Sequence, residues 1–112
     1  MPNSAQEAPI VHNFSVEEVA RGLSEGRILL VDVREPNETA AERIPGSVLL
    51  PLSHFDLSAL PDAAGRRVVF SCRSGNRSVT ASQMAQAAGF DYDAHMAGGI
   101  KAWKAAGLPT ET

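Results

Sequence analysis

The stretch Val68-Val69-Phe70-Ser71-Cys72-Arg73-Ser74-Gly75-Asn76-Arg77-Ser78-Val79-Thr80-Ala81-Ser82 decides how this chain is read. An apolar run leads to the chain's only cysteine, which opens a short polar loop, and an alanine-rich helical segment follows. A strand that delivers a thiol beneath a helix N-terminus makes a site for a thiolate. The free amides of a helix start carry about half a positive charge between them, and loop amides can converge into an anion nest. Arg73 and Arg77 add full charges. Surroundings of this kind lower a thiol pKa to about 3.5–7.5, and the thiolate is the nucleophilic form.

Working outward, Ile28-Leu29-Leu30-Val31-Asp32-Val33 is a continuous apolar run rather than an alternating one, as expected of a strand buried on both faces. Arg67 to Ser71 is a second such strand. Between and around them lie helical segments. Ser15 and Glu18 have capping-box spacing, with Phe14 and Val19 at the staple positions, so a helix should run to about Ser24 and stop at Gly26. Pro36 to Glu42 can form a short helix and Ile44-Pro45-Gly46 a turn. Ser47 to Leu50 can be a short strand stopped by Pro51, and Phe55 to Leu60 one helical turn. Ser78 to Ala88 reads as a helix with Ala81, Met84, Ala85 and Ala88 on one face and Gly89 beyond it. Tyr92 to His95 can be a short strand, Gly98-Gly99 a turn, and Ile100 to Ala106 a last helix closed by Gly107. This alternation predicts an α/β domain with a mostly parallel sheet and helices on both faces. Ligand crevices in such sheets lie at the carboxyl ends of the strands. There Cys72 and the Asp32-Val33-Arg34 segment should be neighbours.

The 112 residues suit one domain over 10–109, with a flexible segment over 1–9 and a loose tail over 110–112. About two-thirds of the unfolded surface can be buried at this length, so no disulfide or metal is needed for a core. A lone cysteine cannot form an internal disulfide and fits a reducing, cytoplasmic setting. The net charge of −3 argues against a nucleic-acid binder. Arg66, Arg67, Arg73 and Arg77 form an expected positive patch near the site, suited to a small anion. Neither a secretory h-region nor an apolar run near the roughly 18 residues of a membrane span is visible. His12, His54, His95 and Cys72 lack metal-ligand spacing. The histidines are read as surface or packing residues, and Trp103 as core.

Four segments in order resemble the single-domain rhodaneses, a family of thiosulfate sulfurtransferases. Cys72 to Ser78 looks like their active loop. Leu30-Val31-Asp32-Val33-Arg34-Glu35 with Glu38, Ile44-Pro45-Gly46-Ser47 with Pro51, and Gly98-Gly99-Ile100-Lys101-Ala102-Trp103 with Gly107-Leu108-Pro109 resemble the remaining signatures. The residue before Ile44, usually His in that family, is Arg43. The resemblance implies ping-pong transfer of a sulfane sulfur through a persulfide on Cys72, from thiosulfate or a persulfide donor to cyanide or a thiol, without a cofactor. It assigns Cys72 as nucleophile, and the N–H groups of Arg73, Ser74, Gly75, Asn76, Arg77 and Ser78 are the expected substrate cradle. Arg73 is the candidate grip on an anionic donor. Ser78 should cap or begin the helix. Arg77 should turn inward to Asp32, Glu35 or Glu38, while Asp32, Arg34 and Glu38 support the loop. A protein sulfur acceptor is a further possible partner; nucleic acid and membrane are not expected. A sulfur-relay or redox-sensing module would use the same cysteine. A phosphatase or arsenate reductase of the related fold would need five residues between cysteine and arginine, where this chain has Arg73 to Asn76.

Overall fold

A computed structural model describes residues 9–112. The expected flexible segment thus lies outside the described residues, apart from Pro9. Five strands form one parallel sheet: β1 (His12–Phe14), β2 (Ile28–Asp32), β3 (Val48–Leu49), β4 (Arg67–Ser71) and β5 (Ala94–Met96), in the order β1-β5-β4-β2-β3. The α-helices are α1 (Val16–Ser24), α2 (Pro36–Ala41), α3 (Asn76–Ala87) and α4 (Gly99–Ala105). Two single 3₁₀ turns, Leu52–His54 and Leu57–Ala59, cross from β3 to β4.

The unbroken apolar runs have the expected cause. Along β2, Ile28 and Leu30 join Val16, Val19, Ile100 and Trp103 in a core beneath α1 and α4. Leu29 and Val31 point the other way and meet Phe70, Ala81 and Ala85 beneath α3. Successive residues of a strand face opposite sides of the sheet, so a strand covered on both sides has no polar face to alternate with. Burying a large aliphatic side chain contributes about 1.5–3 kcal/mol, and these two layers supply most of the fold's drive.

Local signals set the helix ends. At α1 the Ser15 hydroxyl accepts from the Glu18 amide (3.1 Å) and the Glu18 carboxylate accepts from the Ser15 amide (2.8 Å). At α2, Pro36 occupies the first turn and the Glu38 carboxylate accepts from the Glu35 amide.

Several expectations need correction. The segment His12–Phe14, read only as a lead into α1, is an edge strand on β5. The fifth strand is displaced from Tyr92–His95 to Ala94–Met96. Helix α3 begins two residues early, at Asn76. Its buried face is Ser78, Ala81, Ser82 and Ala85, whereas Met84 is 44% exposed and Ala88 is also exposed. The tail is not loose: Arg43 and Glu111 exchange two backbone hydrogen bonds (2.9 and 2.8 Å), and their side chains pair at 3.0 Å. The arginine at the unusual position therefore pins the C-terminal segment to the turn after α2.

Asp32 and Arg34 form a buried pair where β2 ends. The Arg34 Nη2 donates to Asp32 Oδ2 at 2.7 Å and to the Glu42 carbonyl at 2.8 Å, with side-chain exposures of only 5% and 4% for Arg34 and Asp32. Removing one partner strands a buried charge, so Arg34→Ala or Asp32→Ala should each lower unfolding stability by about 3–5 kcal/mol. Urea denaturation followed by circular dichroism checks this; a loss below about 1 kcal/mol would contradict the account.

Candidate active site

Strand β4 ends at Ser71, paired with Asp32 of β2, and Cys72 follows at the carboxyl edge of the sheet. Cys72 is only 1% exposed and its carbon side belongs to the core under α3. Its sulfur meets polar groups instead. The amides of Gly75 and Ser78 donate to Sγ at 3.1 and 3.3 Å, and Ser78 Oγ lies 3.4 Å away. Burial by itself pushes the Cys72 thiol up. Hydrogen bonds from the Ser78 hydroxyl and from the amides of Ser78, Gly75 and Ser74 outweigh it and leave the thiol below its ordinary value.

The loop can turn this way because Gly75 stands at φ +104°, left-handed, at the N-cap of α3. A Cβ there would come within 3.2 Å of the Gly98 nitrogen. Ser78 is consequently the third helical residue and does not cap; its amide is one of the helix's unpaired donors and is spent on the sulfur. The amides of Asn76 and Arg77, the first two of α3, likewise have no carbonyl partner within their helix.

The loop is gripped from below. The amides of Ile100 and Lys101, in the first turn of α4, donate to the carbonyls of Cys72 (2.9 Å) and Arg73 (3.0 Å). The Gly99 α-carbon lies against these peptides so closely that a Cβ would sit 2.5 Å from the Arg73 carbonyl carbon. The Gly98-Gly99 pair thus makes a turn, as its sequence suggests, and also a contact that its sequence does not reveal.

Among the three carboxylates open to Arg77, the structure selects Glu38. Two terminal nitrogens donate to its two oxygens at 2.7 and 3.0 Å. The hydrogen bonds from Arg77 hold the Glu38 carboxyl down at about 2. Arg73 is exposed and lines a groove of about 260 Å³ together with Glu38, Glu42, Lys101 and Lys104, of which Lys104 and Glu42 pair at 2.7 Å. Arg66 and Arg67 do not join it. They lie at the other end of β4, about 16 Å away at strand rise, where Arg67 pairs with Asp93. The positive patch is therefore smaller than the sequence suggested.

The histidines, read as surface or packing residues, divide between the two. His12 is exposed and pairs with Asp93 at 3.5 Å, and His54 is exposed. His95 is buried and polar-bonded: Nδ1 lies 2.8 Å from Ser78 Oγ and Nε2 lies 2.7 Å from Asn13 Oδ1. Its place just before the Gly98-Gly99 turn, at the carboxyl end of a strand, was the available signal.

A family model for the rhodanese-like domain matches residues 15–106. The chain belongs to the rhodanese-like domain family. It is 34% identical over 101 residues to a sulfurtransferase of Allochromatium vinosum, covering 89% of this chain and 94% of that protein. An uncharacterised Synechocystis protein, slr1261, is 48% identical over 83 residues; the match covers 74% of this chain but only 46% of that longer relative. A solved structure from Rhodopseudomonas palustris, described as a possible tyrosine phosphatase, superposes with a TM-score of 0.76 at 28% identity, covering 90% of this chain and 85% of that one. Among the described residues no helix is long and apolar enough to cross a membrane.

The Arg77–Glu38 pair sets a pH dependence. Glu38 is depressed from 4.5 to about 2 on folding. A depressed carboxylate stabilises the fold fully above its unfolded value and loses that contribution as pH falls through the folded value. The wild type should therefore exceed Glu38→Gln by about 1 kcal/mol at neutral pH, the pair being partly solvent-screened. That margin should shrink between pH 4.5 and 2. A constant margin in urea titrations across that window would refute the assignment.

Proposed function

We propose that this rhodanese-like domain transfers a sulfane sulfur through a persulfide on Cys72. The observation carrying this reading is the convergence of the Gly75 and Ser78 amides on Sγ. Donors aimed at a buried sulfur stabilise negative charge there, both on a thiolate and on the terminal sulfur of a persulfide. The thiolate attacks the outer sulfur of thiosulfate. A sulfur–sulfur bond forms to Cys72, the donor's own sulfur–sulfur bond breaks, and sulfite leaves with the electron pair. An acceptor thiolate or cyanide then bonds to the terminal sulfur and returns the electron pair to Cys72. One difficult transfer becomes two easier ones.

The amides of Asn76 and Arg77 are the donors left for the second sulfur. Arg73, exposed at the groove beside the loop, is placed to hold the sulfite end of the donor. Lys101 lines the same groove, whereas Lys104 there is paired with Glu42, so Arg73 and Lys101 are the cations left for an acceptor carrying a carboxylate. A phosphate monoester fits less well. Only four residues separate Cys72 from Arg77, and two terminal nitrogens of that arginine are engaged by Glu38.

Intact-mass spectrometry after thiosulfate exposure tests the persulfide. Wild type should gain one sulfur atom and Cys72→Ser none; a gain retained in Cys72→Ser, or absent from both, would overturn the reading. Arg73→Ala should raise the KM for thiosulfate about fivefold with kcat little changed, the loss of one exposed charged hydrogen bond. Steady-state assays with cyanide or a small thiol measure it, and an unchanged KM would remove Arg73 from the donor site.

A further inference from the structure

Cys72 is buried, so the proton leaving its thiol needs a path to water. One is drawn from the loop's own Ser78 through His95 and Asn13, two side chains that the family motifs do not include. From the sulfur outward, Cys72 Sγ–H faces Ser78 Oγ (3.4 Å), Ser78 Oγ lies 2.8 Å from His95 Nδ1, and His95 Nε2 lies 2.7 Å from Asn13 Oδ1; an amide oxygen only accepts, which assigns the ring proton to Nε2 and leaves Nδ1 to accept from Ser78. Asn13 is exposed on the edge strand β1. Every donor in this chain faces an acceptor, and the line ends at solvent.

The single hydroxyl proton of Ser78 makes the chain consequential. While it is given to His95, Ser78 turns only a lone pair toward Cys72, an arrangement that suits a thiol and opposes a thiolate. The hydroxyl can donate to the thiolate only when Nδ1 carries a hydrogen of its own.

We propose that Ser78 and His95 form a proton relay for Cys72, with His95 a positioning residue that sets the direction of the Ser78 hydroxyl. On ionisation the S–H bond breaks and its proton bonds to Ser78 Oγ. The former Ser78 proton bonds to Nδ1, and the Nε2 proton passes to water beside Asn13. The products are a thiolate receiving a hydrogen bond from Ser78 and a neutral imidazole protonated at Nδ1 instead of Nε2. The Asn13 amide then turns over, so that its NH₂ group donates to the bare Nε2.

The surroundings favour a neutral ring that exchanges tautomers over a lasting imidazolium. Burial holds His95 below its ordinary value, and the ring has no ion pair among the described residues. From β1 it faces Asn13, from α3 Ser78, and from β4 Cys72 beyond Ser78; the backbone of Gly75 lies near Cε1. Neighbouring charges are engaged elsewhere, His12 and Arg67 with Asp93 and Arg77 with Glu38.

The inference rests on Cys72 being the reacting group, but its test reads ionisation directly, so sulfur transfer could fail while the relay stands. Nitrogen-15 NMR of the wild-type ring, run beside the ultraviolet thiolate absorbance, should show Nε2–H exchanging for Nδ1–H with the same pH midpoint as Cys72. A ring tautomer that stays constant through the thiol titration would overturn the relay. In alkylation by iodoacetamide at neutral pH, His95→Ala should slow Cys72 about tenfold, one lost hydrogen bond to the charged sulfur. His95→Asn, whose amide can still donate to Ser78, should recover most of that rate. In a Ser78→Ala background, His95→Ala should change the rate less than about twofold. A full tenfold effect there would show that His95 acts without Ser78 and refute the proposal.

Discussion

The peptide planes of the loop from Cys72 to Ser78 have to face inward, and most of what surrounds them serves that constraint. An amide that points at Sγ sends the carbonyl of the same peptide outward, where it needs a donor of its own. The first turn of α4 provides one through Lys101, whose amide donates to the Arg73 carbonyl of the peptide carrying the Ser74 amide, and fixes the preceding peptide through the bond from Ile100 to the Cys72 carbonyl. Gly99 permits the approach because a side chain would collide with those same peptides. Gly75 permits the reversal that begins α3 at φ +104°. Arg77 then ties the helix start to Glu38 on α2, and α2 is itself tied to the end of β2 through the bond from Arg34 to the Glu42 carbonyl. A ring of contacts from three separate chain segments thus closes on one sulfur.

Much of this arrangement was legible from the chain alone, for definite reasons. Strands β2 and β4 stand out because both of their faces are covered, which leaves an unbroken apolar run. The start of α1 is written in Ser15 and Glu18. The reactive position follows from one cysteine between a strand and a helix. What stayed hidden depends on distance along the chain. The segment His12-Asn13-Phe14 contains one apolar residue and becomes a strand only through its pairing with β5. Asp32, Glu35 and Glu38 were equivalent partners for Arg77 until the fold placed them. His95 meets Ser78 across 17 positions and Asn13 across 82, separations at which no periodicity speaks. The start of α3 was misplaced because a left-handed glycine, rather than Ser78, ends the loop.

Charge was the least transferable reading. Four arginines close in sequence suggested one anion-binding surface, yet a strand of five residues carries two of them to the far end of the sheet. The single unusual residue, Arg43, acts in structure rather than chemistry, fastening Glu111. Sequence proximity and spatial proximity part company wherever an extended segment intervenes.

The edge position of β1 also has a consequence for biosynthesis. Among the described residues its only neighbour in the sheet is β5, so a chain emerging from the ribosome must hold His12–Phe14 without that partner until Ala94–Met96 has appeared. Closing so large a loop is entropically costly and slow. The α4 amides beneath the loop arrive later still. A chain cut short of Gly99 therefore lacks both amides that hold the Cys72 and Arg73 carbonyls, and the peptides flanking the sulfur lose their support from that side.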